Sequence, residues 1–436
     1  MSEQVALVFR GARAVDESGE RDGAVDVVIE GGRITRLGRD AARAMPASER
    51  VRVIDAAGLV VAPGFVDLHA HLREPGFEHK EDIRSGLAAA AAGGFTDVCA
   101  MPNTNPVNDC RLVTELMLAK AKEASRVRLH PIGAITKGQG GESLAEIGEM
   151  RAAGAVAISD DGRCVTNSHV MRRALEYAAT FDLPVIQHAE DHALTAGAVM
   201  HEGAVSTRLG LRGWPRVAED IIVARDVLLA EYVGARYHLA HASTEGSVRI
   251  LREAKSRGLA VTAEVTPHHL LFTDARVLGY DTACKVNPPL REERDVEALR
   301  AGLADGTIDC IATDHAPHSL GDKACEFVDA QMGMMGLELC LPALLGLVER
   351  GVLSLPRLIG ALTSGPARIA GLGPRTLREG AAADLVIFDG ARSWRVEARE
   401  LKTKSANTPL WGTEVKGRVL FTLVAGSLVH EIAPGP

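Results

Sequence analysis

Histidine and aspartate recur at the ends of short apolar runs in this chain. FVDLHAH carries His69 and His71, AVAISDDG carries Asp160 and Asp161, LPVIQHAE carries His188, RYHLAHAS carries His241, and IDCIATDHAP carries Asp314. His69 and His71 are two residues apart, so on a strand both side chains point to the same side. Two imidazoles so placed suit one divalent metal. An H-x-H pair alone is weak, because core histidines produce many. Joined to Asp161, His188, His241 and Asp314, it favours a metal site over a set of buried structural polar groups. Nitrogen and oxygen donors without thiolate suit Zn²⁺, with Mn²⁺ or Co²⁺ as substitutes. Six donors exceed what one tetrahedral zinc takes, which points to two ions. A carboxylate between them would bridge, and Asp161 lies on the middle strand.

For these residues to meet, their runs must open on one face. Eight short apolar runs lie between GFVDLHAH and IDCIATDHAP, and most are separated by stretches of helical character. TEGSVRILREAKSRG is an example, with Thr244 where an N-cap belongs and Gly258 just past the end. Eight strands alternating with helices predict an α/β fold, a TIM-like (β/α)₈ barrel. All strands of such a barrel end on the face where active sites sit. A doubly wound sheet is the alternative, but no G-x-G-x-x-G or Walker A sequence supports its usual cofactors. Val- and Ile-rich segments at both ends read as strands of one small β-sandwich domain. The expected division is 1–62 with 370–436 for that domain and 63–369 for the barrel. Residues 316–335 carry no regular pattern and read as an active-site lid.

Composition narrows the function. The chain has 436 residues, 46% hydrophobic and 24% charged, with a net charge of −8. That is ordinary globular composition, without a basic footprint for nucleic acid and without an apolar run of membrane-spanning length. The start MSEQVALVFRGARAV lacks the pattern of a secretory leader. The seven cysteines form no CxxC pair, so reduced thiols and a cytoplasmic location are expected. Cys99 and Cys310 lie within strand runs and read as core fillers. His268 and His269 follow the seventh run, where packing and pocket-shaping are equally open.

The ordered motifs DLHAHLREPG, KED, MPNTNP, SDDG, QHAED, HAST, EVTPHHL, KVNPPLR and TDHAPH resemble the dihydroorotases of the amidohydrolase superfamily, the bacterial class I type above all. The resemblance runs from about residue 60 to 370, and GAAADLVIFD is similar to the family's C-terminal β segment. It implies an enzyme that interconverts N-carbamoyl-L-aspartate and L-dihydroorotate in pyrimidine biosynthesis. It implies two Zn²⁺ per subunit, bridged by Asp161 and by a hydroxide that acts as nucleophile. His69, His71 and Asp314 would hold one ion, and His188 and His241 the other. Many amidohydrolases bridge through a carboxylated lysine. Here the fourth run offers no lysine, and Asp161 fits the class I position, with Asp160 the neighbouring rival. Asp314 would also serve as general base and then general acid. Arg73, Asn103 and His318 fall where the family grips the substrate carboxylate, and Asn287 where it contacts the ring. Met332-Gly333 stands where the family usually has Phe-Gly, so the backbone contact survives while the packing differs. A homo-oligomer is expected, and aspartate transcarbamoylase is a candidate partner. The competing readings are a hydantoinase- or allantoinase-type cyclic amidase and a non-catalytic partner of that transcarbamoylase.

Overall fold

The computed structural model describes residues 6–44 and 51–433. Residues 1–5, 45–50 and 434–436 lie outside the described residues, and with them the start of the chain and parts of the expected terminal domain. Eight short strands form the central sheet: Phe65–Ala70, Phe95–Ala100, Arg128–Gly133, Ala157–Ser159, Val185–Gln187, Tyr237–Leu239, Val261–Val265 and Cys310–Ile311. They lie side by side in chain order, and every pairing is parallel. The eight apolar runs of the sequence are these eight strands. They are buried on both faces, which is why they read as apolar runs and not as alternating patterns.

The sheet closes into a barrel through the first strand and the segment after the eighth. Ala70 bridges His315 in parallel register, and the His71 N–H donates to the His315 carbonyl at 2.8 Å. One turn deeper, the Asp67 carboxylate accepts from Thr313 N–H at 2.9 Å and from its hydroxyl at 2.5 Å. Burial raises the Asp67 carboxyl to about 7, against the lowering effect of these hydrogen bonds. Leu68, Cys99, Ile132, Ile186 and Ala240 fill the interior, with Ile369 and Ala370 in the same cluster. The barrel is therefore a packed core and not a pore.

Helices cover the outside, and their boundaries follow local chemistry. The helix Glu245–Ser256 starts where Thr244 Oγ1 accepts from the Ser247 N–H at 3.0 Å. It ends before Gly258, whose φ of +76° is the left-handed turn that glycine adopts without Cβ strain. Val248, Leu251 and Ala254 recur at helical spacing and face the barrel core. No helix among the described residues is long and apolar enough to cross a membrane.

A second sheet draws on both chain ends. Its order places Ser427–Glu431, Glu414–Val424 and Leu385–Arg395 beside Val60–Pro63, Ala6–Asp16, Val25–Glu30 and Arg33–Gly38. Neither end could bury its apolar face alone, and together they share one core that includes Phe9, Val27, Ile387 and Phe421. All seven cysteines are free, and Cys99 and Cys310 lie in the barrel interior.

Candidate active site and metal centre

The strand ends bring the six candidate metal ligands into one buried cluster. Asp161 lies at its centre. Its Oδ1 is 3.2 Å from His241 Nε2, 3.4 Å from His69 Nε2 and 3.6 Å from His188 Nδ1. Its Oδ2 is 3.3 Å from His71 Nε2. Asp314 Oδ1 sits 3.2 Å from His71 Nε2 and 3.5 Å from His69 Nε2. His69, His71 and Asp314 form one group whose donor atoms lie within 4.8 Å of one another, and His69, Asp161 and His241 form another. Asp160 faces elsewhere. Its carboxylate accepts from the Ile135 and Thr136 N–H groups at 2.8 and 3.0 Å and anchors the loop after the third strand. Both residues lie just past the strand Ala157–Ser159, where the Ile135 and Thr136 amides hold Asp160 and leave Asp161 facing the histidines.

The far nitrogens of the imidazoles decide what the near ones offer. His69 Nδ1 meets the Glu264 carboxylate at 2.6 Å, His188 Nε2 meets Glu190 at 3.0 Å, and His71 Nδ1 meets Asn103 Oδ1 at 2.8 Å. Each partner is an acceptor, so each of those nitrogens carries the proton. In the neutral rings the nitrogens facing the cluster are then lone pairs. His188 Nδ1 lies 2.9 Å from His241 Nε2, and the buried His69 Nε2 has no hydrogen-bond partner among the described residues. Lone pairs of His69, His71 and His188 thus face the carboxylates of Asp161 and Asp314, an arrangement that protons or a cation reconcile. Burial opposes charge on His69, but Asp161, Glu264 and Asp314 outweigh it and hold its affinity for a proton well above the usual range. His188 is likewise held up to about 10, with Asp161 and Glu190 overcoming burial. The field that would hold those protons equally favours a bound dication. The donor set, all nitrogen and oxygen, fits a divalent metal.

The remaining candidates surround this cluster. Eleven of the twelve candidate residues line one pocket of ≈ 470 Å³, and the twelfth, His69, lies fully buried beneath it. A groove of similar volume, lined by Leu144, His169, Arg173 and Tyr177, contains none of them. Arg73 reaches the pocket wall with its Nε donating to the Pro317 carbonyl at 3.1 Å. Burial lowers its guanidinium to about 10, while the carboxylates of Asp314 and Asp161 resist, so it stays charged at neutral pH. His318 is buried with Nε2 2.9 Å from the Met332 carbonyl and Nδ1 3.3 Å from Lys80 Nζ. Burial first, then the charges of Arg73 and Lys80, press its imidazole down to about 3, so it is neutral. Asn287 Nδ2 donates to Glu190 at 3.3 Å, and its Oδ1 has no partner among the described residues. Arg73, His241 and Asp314 have φ values of +63°, +33° and +45°, in the left-handed region. Strain of this kind persists where the surrounding structure over-determines it, often at functional sites.

A family model described as Dihydro-orotase-like matches residues 58–247. A dihydroorotase of Anaeromyxobacter dehalogenans (strain 2CP-C) is 54% identical over 98% of this chain and 98% of its own length. One from Geobacter sp. (strain M21) is 52% identical over 98% of this chain and 99% of its own. The chain belongs to the dihydroorotase family. Among solved structures, an L-hydantoinase from Arthrobacter aurescens has the same fold, with a TM-score of 0.86 at 25% identity, covering 98% of this chain and 96% of that one. A D-hydantoinase from Thermus sp. superposes with a TM-score of 0.81 at 25% identity, over 99% and 97% of the two chains. Both are similar in architecture across the barrel and the second sheet.

In this dihydroorotase-family chain several site residues escaped the sequence reading. Glu264 and Glu190 hold the outer nitrogens of His69 and His188, and such partners orient ligand imidazoles. The signal for them was a buried acid inside two motifs already singled out, EVTP and QHAED. Lys285 lines the pocket, and its ammonium donates to the Val328 carbonyl of the 316–335 segment at 2.7 Å. His269 is used in packing, between Thr266 Oγ1 at 2.7 Å and the Pro288 carbonyl at 3.0 Å.

Proposed function

We propose that this chain catalyses the reversible cyclisation of N-carbamoyl-L-aspartate to L-dihydroorotate, a step of pyrimidine biosynthesis, as a cytoplasmic zinc enzyme. The observation that carries the reading is the buried cluster of imidazole lone pairs around Asp161, with the charged Arg73 at the wall of the same pocket. Near-full-length identity to proteins named dihydroorotase supports the choice of ring.

The proposed assignment gives His69, His71 and Asp314 to one zinc and His188 and His241 to a second, with Asp161 shared. Bound zinc supplies Lewis acidity, which makes a water nucleophilic near neutral pH and polarises the amide carbonyl. The protein's own groups do the rest. Asp314 takes the proton from the attacking water and delivers it to the ring nitrogen as the C–N bond breaks, and it works in reverse when the ring closes. Its carboxyl is held well below the usual range, since His69 and His71 overcome the effect of burial, so it starts as a base. Arg73 offers a planar fork to the substrate's free carboxylate and fixes its orientation. Asn103 and His318 complete that grip. The unpartnered Asn287 Oδ1 is suited to accept from a ring N–H. Met332 and Gly333 contribute backbone groups over the ring, from the segment we read as a lid.

The test is elemental metal analysis and dihydroorotate hydrolysis on one sample, with hydantoin as the control substrate. Metal-dependent opening of dihydroorotate is expected, with hydantoin opened far more slowly. Faster turnover of hydantoin would overturn the assignment in favour of a hydantoinase. Turnover that appears only after adding an aspartate transcarbamoylase would make the enzyme partner-dependent.

A further inference from the structure

Between the strands Leu385–Arg395 and Glu414–Val424 the chain makes an excursion of the length that compact domains reserve for function. It leaves the second sheet and reaches the mouth of the barrel. There Asn407, only 5% exposed, spends its whole carboxamide on the two stems of the 316–335 segment. Its Nδ2 donates to the Ala316 carbonyl at 2.9 Å and to the Gly333 carbonyl at 3.1 Å. Its Oδ1 accepts from the His318 N–H at 3.3 Å, and its backbone carbonyl accepts from the Met335 N–H at 3.1 Å. Ser405 adds a hydrogen bond to the His318 carbonyl at 2.7 Å. The backbone of His318 is therefore held at both its N–H and its C=O by this one loop.

The stems need such a clasp because they approach closely. Gly333 has a φ of +144°, and a Cβ there would stand 2.8 Å from the Ala316 Cβ and 2.9 Å from His318 Nε2. The far part of the segment is held by other means. Lys323 donates to the carbonyls of Thr282, Lys285 and Gln331 at 3.0, 3.2 and 2.6 Å. That lysine fastens the far part, and Asn407 fastens the base, where His318 and Gly333 face the pocket.

We infer that Asn407, assisted by Ser405, is a positioning residue that clasps the stems of the lid and so sets His318 and Gly333 against the substrate. Neither residue lines the pocket, so the effect passes through the lid. A carboxamide is the group required, because it donates twice and accepts once in one plane. Aspartate keeps the shape but turns a carboxylate oxygen against two carbonyls. The inference rests on the dihydroorotase reading for its kinetic consequence and on geometry alone for the clasp.

The experiment compares zinc-loaded Asn407→Ala, Asn407→Asp and Ser405→Ala with the parent enzyme. Because His318 and Gly333 bind substrate and transition state alike in this reading, Asn407→Ala should raise KM about tenfold or more. Its kcat should stay within about threefold of the parent value. Asn407→Asp should be at least as severe, and Ser405→Ala should raise KM about threefold, as the loss of one hydrogen bond suggests. Metal content should be unchanged in all three. In the substrate-free enzyme, amide exchange at His318 and Met335 should quicken about tenfold or more in Asn407→Ala, while the barrel strands keep their protection. Unchanged KM and exchange would overturn the inference. So would a joint fall of kcat and metal content, which would mark a merely structural role. If the Asn407 variants do not fold, Ser405→Ala decides by the same two readouts. If the parent enzyme fails to open dihydroorotate, the functional reading falls, and exchange at His318 still tests the clasp.

Discussion

Two buried charge clusters sit at opposite ends of the barrel, and they are built on opposite principles. Near the N-terminal end, Asp97 receives Arg128 at 2.7 and 2.8 Å, His130 at 2.8 Å and Arg375 at 3.0 Å. Asp384 receives the same two arginines at 2.7 and 3.2 Å. Every carboxylate there faces donors, and the network ties the second and third barrel strands to the segment leading into the second sheet. At the C-terminal mouth, Asp161 and Asp314 face four imidazoles, three of which point their N–H groups at outer partners. Acceptors face acceptors, and the balance is left to something that is not a side chain. The first cluster closes on itself and holds structure. The second stays open and offers a site. The carboxylates are buried in both clusters, and the donor–acceptor match is what sets them apart.

The contrast breaks most sharply at Asp161. Asp161→Ala should remove most of the bound metal and lower kcat by about a thousandfold or more, as loss of the proposed shared ligand implies. Full metal content by elemental analysis would refute its place in the cluster. Next comes Arg73→Ala, which should keep near-normal metal content while raising KM by about a hundredfold, the scale of a lost charged fork. An unchanged KM would count against the carboxylate role. Glu264→Gln tests whether the outer partner sets the lone pair. It should weaken metal affinity by about tenfold to a hundredfold in chelator competition, with the fold intact by circular dichroism. Undiminished affinity would show that the His69 tautomer is set by other groups.

The base cluster should behave in the reverse way. Asp97→Asn should leave kcat and metal content unchanged while lowering stability by about 3 kcal/mol, the usual result of breaking a buried pair. Burial alone would raise the Asp97 carboxyl, but hydrogen bonds from Arg128 and His130 and the charge of Arg375 hold it well below the ordinary range. Its stabilising effect is therefore complete above the unfolded carboxylate value of about 3.9 and is lost as the pH falls further. Denaturant titrations should show the parent losing stability below about pH 4 more steeply than Asp97→Asn. Parallel profiles would remove Asp97 from the account.

The fold was legible where burial writes a pattern. Strands covered on both faces must be apolar along their length, and all eight barrel strands appeared as such runs. Polar residues at their ends stood out against that background, so the candidate ligands appeared with them. Glu264 was harder to see. It lies inside an apolar strand and reads as an exception until His69 and His238 are seen on its two oxygens. Asp160 and Asp161 are chemically identical in the sequence. The Ile135 and Thr136 amides capture one of them and leave the other facing the histidines. Asn407 carried no signal, because a buried carboxamide in an irregular loop has no periodicity to betray it.

The sequence by itself determined the barrel, the union of the two chain ends in one sheet, and the donor types gathered at the mouth. These follow from local rules: apolar spacing sets strands and helices, and parallel strands must end together. Only the tertiary structure decided which aspartate enters the cluster, which nitrogen of each histidine is free, and which distant loop holds the lid. Those choices depend on partners far apart in the chain, and hydrogen-bond direction is a property of the pair, not of either residue alone.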